Sequence, residues 1–111
     1  MGRELDEKDI EIIKKLVPEI IDFVQSGRMK IEYMNILPPV ANHYSGNPKG
    51  FERRLQNLSS EDARYLADKI IDGSESVSRL HSDYAEVFFA FVGKRLSDEV
   101  ANELREIYET G

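Results

Sequence analysis

The apolar residues of this chain recur at intervals of three and four along most of its length, the spacing that places them on one face of an α-helix. In the first segment, charged residues fill the opposite face, and the apolar positions are Ile10, Ile13, Val17, Ile20, Ile21 and Val24. This spacing predicts an amphipathic helix from about Asp6 to Gln25. Pro18 lies inside it and removes one backbone hydrogen bond, so the helix either kinks there or restarts with Pro18 in its first turn.

Three helix starts share one signature, in which an apolar residue directly precedes a capping residue: Leu5-Asp6, Leu58-Ser59 and Leu96-Ser97. The side-chain oxygen of such a cap accepts a hydrogen bond from a backbone N–H group in the first turn of the helix. We therefore predict helices from Ser59 to about Asp72 and from Ser97 to about Glu109.

The segment from Tyr84 to Arg95 follows the capping residues Ser82 and Asp83 and is apolar nearly all round. A helix of this kind normally lies buried at the centre of a bundle. If its aromatic residues face outward, they instead form a binding surface, because large exposed apolar patches usually mark interaction sites. The candidate anchors for a protein partner are Tyr84, Phe89 and Phe91.

Residues 28–37 admit two interpretations. Apolar and charged side chains alternate from Met29 to Tyr33, as in a short strand, whereas Met34, Ile36 and Leu37 continue at helical spacing. Because no other segment offers a partner strand, we favour a helix.

The residues that follow have the pattern of two short helices joined by a turn. Pro38-Pro39 begins a short helix through Tyr44, Ser45-Gly46 forms the turn, and Asn47-Pro48 begins a second helix, which carries Phe51, Arg53, Arg54 and Leu55. Over about 20 residues, this pattern resembles the helix-turn-helix of bacterial and archaeal regulators. Two features depart from that motif: Gly50 lowers the helix propensity, and Leu55 lies one position later than the usual apolar spacing.

Charge is distributed unevenly along the chain. Five basic and two acidic residues give the segment 28–57 a formal charge of +3, and the rest of the chain carries −9. Contacts to DNA phosphates need lysine and arginine, so if the protein binds DNA, this segment is expected to contact it. The candidate nucleic-acid-binding residues, acting in a homodimer, are Lys30, Lys49, Arg53 and Arg54.

A length of 111 residues with 41% hydrophobic side chains is sufficient for one compact domain covering residues 1–111. We expect an all-α fold, an irregular or orthogonal bundle of five to six helices. A shift of 38 residues aligns 40–73 with 78–111, and both blocks have the pattern of helical hairpins. This self-similarity is typical either of a duplicated unit or of helix-start chemistry that recurs for capping reasons.

Several kinds of chemistry lack the residues that they need. The chain has no cysteine and only two histidines, so thiolate sites and three-histidine metal sites are excluded within one chain. It contains neither a Gly-x-x-x-x-Gly-Lys-Ser/Thr loop nor a Gly-x-Gly-x-x-Gly fingerprint for nucleotides. Ser78, His81 and Asp83 are the residue types of a catalytic triad, but they lie within six consecutive residues instead of converging from separate elements. We expect no enzymatic activity, no cofactor and no bound metal.

The longest apolar run, Val87 to Val92, is far shorter than the roughly 20 residues of a membrane-spanning helix. We expect a cytoplasmic protein without membrane association. The leading hypothesis is a small, non-enzymatic protein-interaction module, a subunit or accessory factor of a larger assembly, whose partner is another protein or a further copy of itself. The alternative is a helix-turn-helix transcriptional regulator that binds DNA through residues 28–57.

Overall fold

The computed structural model describes residues 6–19 and 35–110. These residues form a compact bundle of helices without a strand, which confirms the predicted all-α fold class. The helices are α1 (Glu7–Leu16), α2 (Leu37–His43), α3 (Pro48–Leu55), α4 (Ser60–Ile71), α5 (Ser82–Arg95) and α6 (Asp98–Thr110).

Pro18 separates two helical stretches. Helix α1 ends at Leu16, and Val17 has the non-helical angles φ −141° and ψ 82°. Pro18 and Glu19 are helical again, so the chain restarts its helix at the proline instead of kinking through it. The remainder of the predicted first helix, residues 20–25, and the ambiguous residues 28–34 lie outside the described part of the chain, whereas Leu37 begins α2.

Side-chain caps begin four of the described helices at the positions predicted from the sequence. Each cap accepts a hydrogen bond from the backbone N–H group three residues later, at 2.9–3.2 Å, and the caps are Asp6, Asn47, Ser59 and Ser97. The prediction that Ser82 and Asp83 cap α5 is wrong. His81 is the cap, and its Nδ1 accepts a hydrogen bond from the Asp83 N–H group at 3.2 Å, so Ser82 and Asp83 belong to the first turn.

Helix α5 lies at the centre of the bundle and packs against α3, α4 and α6. Its buried side chains are Tyr84, Ala85, Phe88, Phe89, Phe91 and Val92. Phe88 and Phe89 meet edge-on with their ring centroids 6.1 Å apart, an arrangement that aromatic pairs prefer over a face-to-face sandwich. The prediction of a central apolar helix is confirmed.

The two blocks related by the 38-residue shift both contain a helical hairpin, α3–α4 in one and α5–α6 in the other. The shift aligns Ser60, the first residue of α4, with Asp98, the first residue of α6. Helix α3 has 8 residues and α5 has 14, so the two hairpins correspond best at the shared caps and not in their first helices.

A buried carboxylate joins α1 to α4. Asp62 is fully buried, and its two oxygens accept hydrogen bonds from Lys8 Nζ at 2.6 Å and from Lys15 Nζ at 2.7 Å. It also accepts a hydrogen bond from the Ser59 N–H group at 3.0 Å, which completes a capping box. Burial by itself raises the pKa of Asp62, but the bonds from Lys15, Lys8 and Ser59 outweigh it and hold that pKa well below its ordinary value.

Acidic pH is expected to remove the stability that Asp62 contributes. Because the pKa of Asp62 is lower in the folded state, the contribution is complete above the unfolded pKa of about 3.9 and is lost as the pH falls below it. The difference in free energy of unfolding between the wild type and Asp62→Asn is expected to narrow by about 2 kcal/mol between pH 5 and pH 2. Urea denaturation of both proteins over this range measures the effect, and a difference independent of pH would contradict it.

Candidate functional site

The three aromatic residues predicted as anchors for a partner are enclosed by the fold. Phe89 is 0%, Phe91 3% and Tyr84 8% exposed. Phe89 packs edge-on against Tyr108, with ring centroids 5.7 Å apart, and the Arg95 guanidinium lies 5.2 Å from the centre of the Phe91 ring. The condition that these rings face outward is therefore not met, because α5 is surrounded by other helices and its aromatic residues form the core.

Residues 37–55 form the predicted pair of short helices joined by a turn. The turn runs from Tyr44 to Asn47, with Gly46 at φ +79°, a backbone conformation that favours glycine. Gly50 has a packing reason: a Cβ atom there would lie 2.4 Å from Nδ2 of Asn47, the residue that caps α3. Leu55 is fully buried. Gly50 thus preserves the cap of α3, and Leu55 belongs to the core. These two roles account for both departures from the DNA-binding motif.

One face of α3 is exposed and basic. Glu52 and Arg53 lie three and four residues after Lys49, Gln56 lies four and three residues after them, and all four side chains are exposed. With Lys94 of α5 they line a concavity of about 400 Å³. Of the other predicted nucleic-acid contacts, Arg54 is half-buried, away from this face, and Lys30 lies outside the described residues.

The three basic side chains of this face carry free positive charge. Among the described residues, no carboxylate lies within ion-pair distance of Lys49, Arg53 or Lys94. Arg95, the neighbour of Lys94, is instead held by the carbonyl oxygens of Leu58 and Gln56, each at 3.2 Å.

A second concavity, also of about 400 Å³, continues this face toward the start of α5. It shares Lys49 and Glu52 with the first, and its other lining residues are Pro48, Ser82, Asp83, Glu86 and Val87. We call the two together the α3–α5 groove. The helices run side by side in the same direction, because Pro48 and Ser82, at their starts, line the same concavity and Arg95 bonds Gln56 near their ends.

The α3–α5 groove is electrically polarised. Asp83 and Glu86 lie at one end, beside the half-buried apolar side chains of Pro48 and Val87, and Arg53 and Lys94 lie at the other end. Both carboxylates are about two-thirds exposed; Glu86 lies 3.6 Å from Arg105, and Asp83 lies 3.6 Å from His81. The twelve residues from Asp83 to Lys94 span about 16 Å, or three helical turns.

The described residues contain no constellation typical of catalysis. Ser78 Oγ lies 3.2 Å from the Ser76 hydroxyl, and His81 is occupied by its capping bond, so the two do not form a nucleophile and base with Asp83. No group of three or more metal-ligating side chains is present in these ranges. Over the same ranges, no helix has both the length and the apolar content to cross a membrane.

Comparison with known proteins adds no relative: no protein-family model, curated protein or solved structure matches this chain.

Sequence reasoning identified the basic half of the groove and missed the acidic half. Lys49 and Arg53 were predicted because they are concentrated in one short segment. Val87 belongs to a helix that is apolar nearly all round, so its sequence context does not distinguish it from a core residue, whereas the structure leaves it half-buried. The sequence signal that could have indicated this surface is the position of Val87 between the charged residues Glu86 and Lys94 on the most apolar helix.

Proposed function

We propose that this protein is a non-enzymatic interaction module that holds a helical segment of another protein in the α3–α5 groove. The observation that carries the proposal is the arrangement of opposite charges at the two ends of a groove whose acidic end also has apolar walls, on a surface that has no partner within the described residues. This surface replaces the buried aromatic residues as the candidate interface.

The dimensions of the groove define the chemistry of its partner. A helix of about three turns matches its length and places an apolar side chain over Pro48 and Val87. A lysine or arginine at one end of that helix faces Asp83 and Glu86, and a glutamate or aspartate at the other end faces Arg53 and Lys94. Complementary charges of this kind fix orientation and exclude wrong partners more than they add affinity.

The expected complex is weak and sensitive to salt. Exposed ion pairs contribute about 0–1 kcal/mol each, and Ile71 is the one large apolar side chain of the described residues that is exposed, at 39%. An interface of this size and polarity belongs with transient complexes of low buried area.

Three designed peptides test the proposal. Each is a 15-residue helix with leucines along one face; the first has lysines at one end and glutamates at the other, the second has lysines at both ends, and the third has glutamates at both ends. By fluorescence anisotropy, the first is expected to bind the wild type at least about tenfold more tightly than either of the others. The double variant Arg53→Glu/Lys94→Glu makes the groove acidic at both ends and is expected to prefer the second peptide.

The matched control is Lys14→Glu/Arg64→Glu, which changes the net charge equally at exposed positions on α1 and α4, outside the groove. It is expected to retain the wild-type preference. Equal affinity for all three peptides, or no binding of the first peptide up to about 1 mM, would overturn the proposal.

The second candidate function is DNA binding, for which the supporting observation is the pair of short helices α2 and α3 joined by a turn. It has less support because the exposed face of α3 offers only two cations, Lys49 and Arg53, with Glu52 between them, and Lys94 of α5 adds a third, on a chain of net charge −6. Labelled duplex DNA is the fourth probe in the same assay. Saturable binding with a log–log salt slope of about −3, lost in Arg53→Glu/Lys94→Glu, would favour this candidate over the protein partner.

A further inference from the structure

A separate cavity of about 240 Å³ lies between the end of α2 and the start of α5. Asn42 and Ser45 line one side, and Arg79 and His81 line the other. Leu80 and Tyr84 contribute apolar surface, and no carboxylate lines the cavity. It shares no lining residue with the α3–α5 groove, although His81 of the cavity accepts a hydrogen bond from the N–H group of Asp83, which lines the groove.

The connection between α4 and α5 holds Arg79 in place at this cavity. Val77 and Leu80, on either side of it in sequence, are buried, and the Leu80 N–H group donates a hydrogen bond to the Val77 carbonyl oxygen at 3.0 Å. The backbone of Arg79 is therefore anchored while its side chain stays exposed. Within the described ranges, no carboxylate pairs with its guanidinium group, so the positive charge at the cavity is not neutralised.

The cap of α5 determines which ring nitrogen of His81 donates. Nδ1 accepts a hydrogen bond from the Asp83 N–H group at 3.2 Å, so it carries no proton in that contact. A neutral imidazole that accepts through Nδ1 has its proton on Nε2. His81 therefore adds a ring N–H donor to the Arg79 guanidinium, the Asn42 amide and the Ser45 hydroxyl.

The walls of the cavity are held together without a ligand. The Tyr84 hydroxyl donates a hydrogen bond to the Tyr44 carbonyl oxygen, which ties α5 to the turn after α2. The Tyr44 hydroxyl in turn donates to the Leu16 carbonyl oxygen at 2.7 Å. A cavity whose walls are already positioned loses less conformational freedom when a ligand enters.

We propose that this cavity binds a small organic carboxylate with a short apolar body. Arg79 and His81 face the carboxylate, Asn42 and Ser45 supply further donors, and the apolar part lies against Leu80 and Tyr84. The cavity volume of about 240 Å³ is sufficient for a ligand of the size of a single-ring acid.

Nuclear magnetic resonance titrations of the full chain with three probes at pH 7 test this site. The probes are benzoate, its uncharged analogue benzamide, and inorganic phosphate. Benzoate is expected to shift the backbone amide signals of Asn42, Ser45 and Leu80 saturably, and to bind at least about tenfold more tightly than either other probe. Arg79→Gln is expected to weaken benzoate binding about tenfold, whereas Arg64→Gln, on exposed α4, is expected to leave it unchanged.

Each alternative result rejects a stated part of the inference. If benzamide binds with the same affinity as benzoate, the site does not recognise the carboxylate. If phosphate binds with the same affinity as benzoate, the site does not recognise the apolar body. Unchanged binding by a folded Arg79→Gln variant, or no saturable shift up to about 50 mM benzoate, would overturn the site itself. Circular dichroism of both variants establishes that the helices are intact.

Discussion

Replacing Asp62 with asparagine is expected to lower the free energy of unfolding by about 2–4 kcal/mol. The carboxylate is fully buried and accepts from two lysine ammonium groups and one backbone N–H group. Asparagine has the same shape, but its amide nitrogen is a donor and faces groups that are themselves donors. The expected loss is below that of a fully enclosed ion pair, because the side chains of Lys8 and Lys15 are 25% and 34% exposed and regain contact with water.

Urea denaturation at pH 7 measures this effect as a shift of the midpoint at constant slope. The control is Glu61→Gln, which removes a neighbouring acidic residue that is exposed in the same first turn of α4. Its expected cost is at most about 0.5 kcal/mol. A value for Asp62→Asn as small as that of the control would mean that the link between α1 and α4 contributes little to stability.

Glu75→Ala is expected to cost about 2–4 kcal/mol as well, for a different reason. Glu75 is 2% exposed, and its carboxylate accepts hydrogen bonds from the N–H groups of Ile36 at 2.8 Å and Leu37 at 2.9 Å. Helix α2 has no cap of its own, because Ile36 has no side-chain acceptor and Pro38 and Pro39 have no N–H groups. Glu75 therefore satisfies the donors left at this helix start from a position almost forty residues later in the chain.

Alanine at position 75 leaves two buried N–H groups without an acceptor, each at a cost of about 1–3 kcal/mol. Glu75→Gln retains one acceptor oxygen and is expected to lose about half as much. Glu109→Ala, at an exposed position of α6, is the control for loss of negative charge. In urea denaturation, the loss of free energy of unfolding is expected to be largest for Glu75→Ala, smaller for Glu75→Gln and smallest for Glu109→Ala. Equal stability of Glu75→Ala and Glu109→Ala would contradict the capping role.

The candidate site was predicted in part. Lys49 and Arg53 were named from the local concentration of basic residues, and the structure places both on one exposed helix face. Tyr84, Phe89 and Phe91 were named as anchors on the condition that they face outward, and they are core residues. A helix that is apolar nearly all round gives no periodic signal for the side that stays exposed. The sequence therefore did not distinguish aromatic residues in the core from aromatic residues on a binding surface.

The amino-acid sequence by itself determined the class of fold and most helix starts. Asp6, Asn47, Ser59 and Ser97 cap helices through bonds to residues three positions away, and such local geometry follows from residue type and spacing. The cap at His81 escaped prediction because the imidazole acceptor competed with Ser82 and Asp83, which are commoner capping residues.

Only the tertiary structure decided which distant groups meet. The bonds from Lys8 and Lys15 to Asp62, the Glu75 cap on α2 and the pairing of α3 with α5 join residues that lie far apart in sequence. Helical periodicity states which face of each helix is apolar, but it contains no information on which helix covers that face. The groove and the cavity exist because helices of fixed local structure pack in one particular order, and that order is set by the fit of the buried side chains.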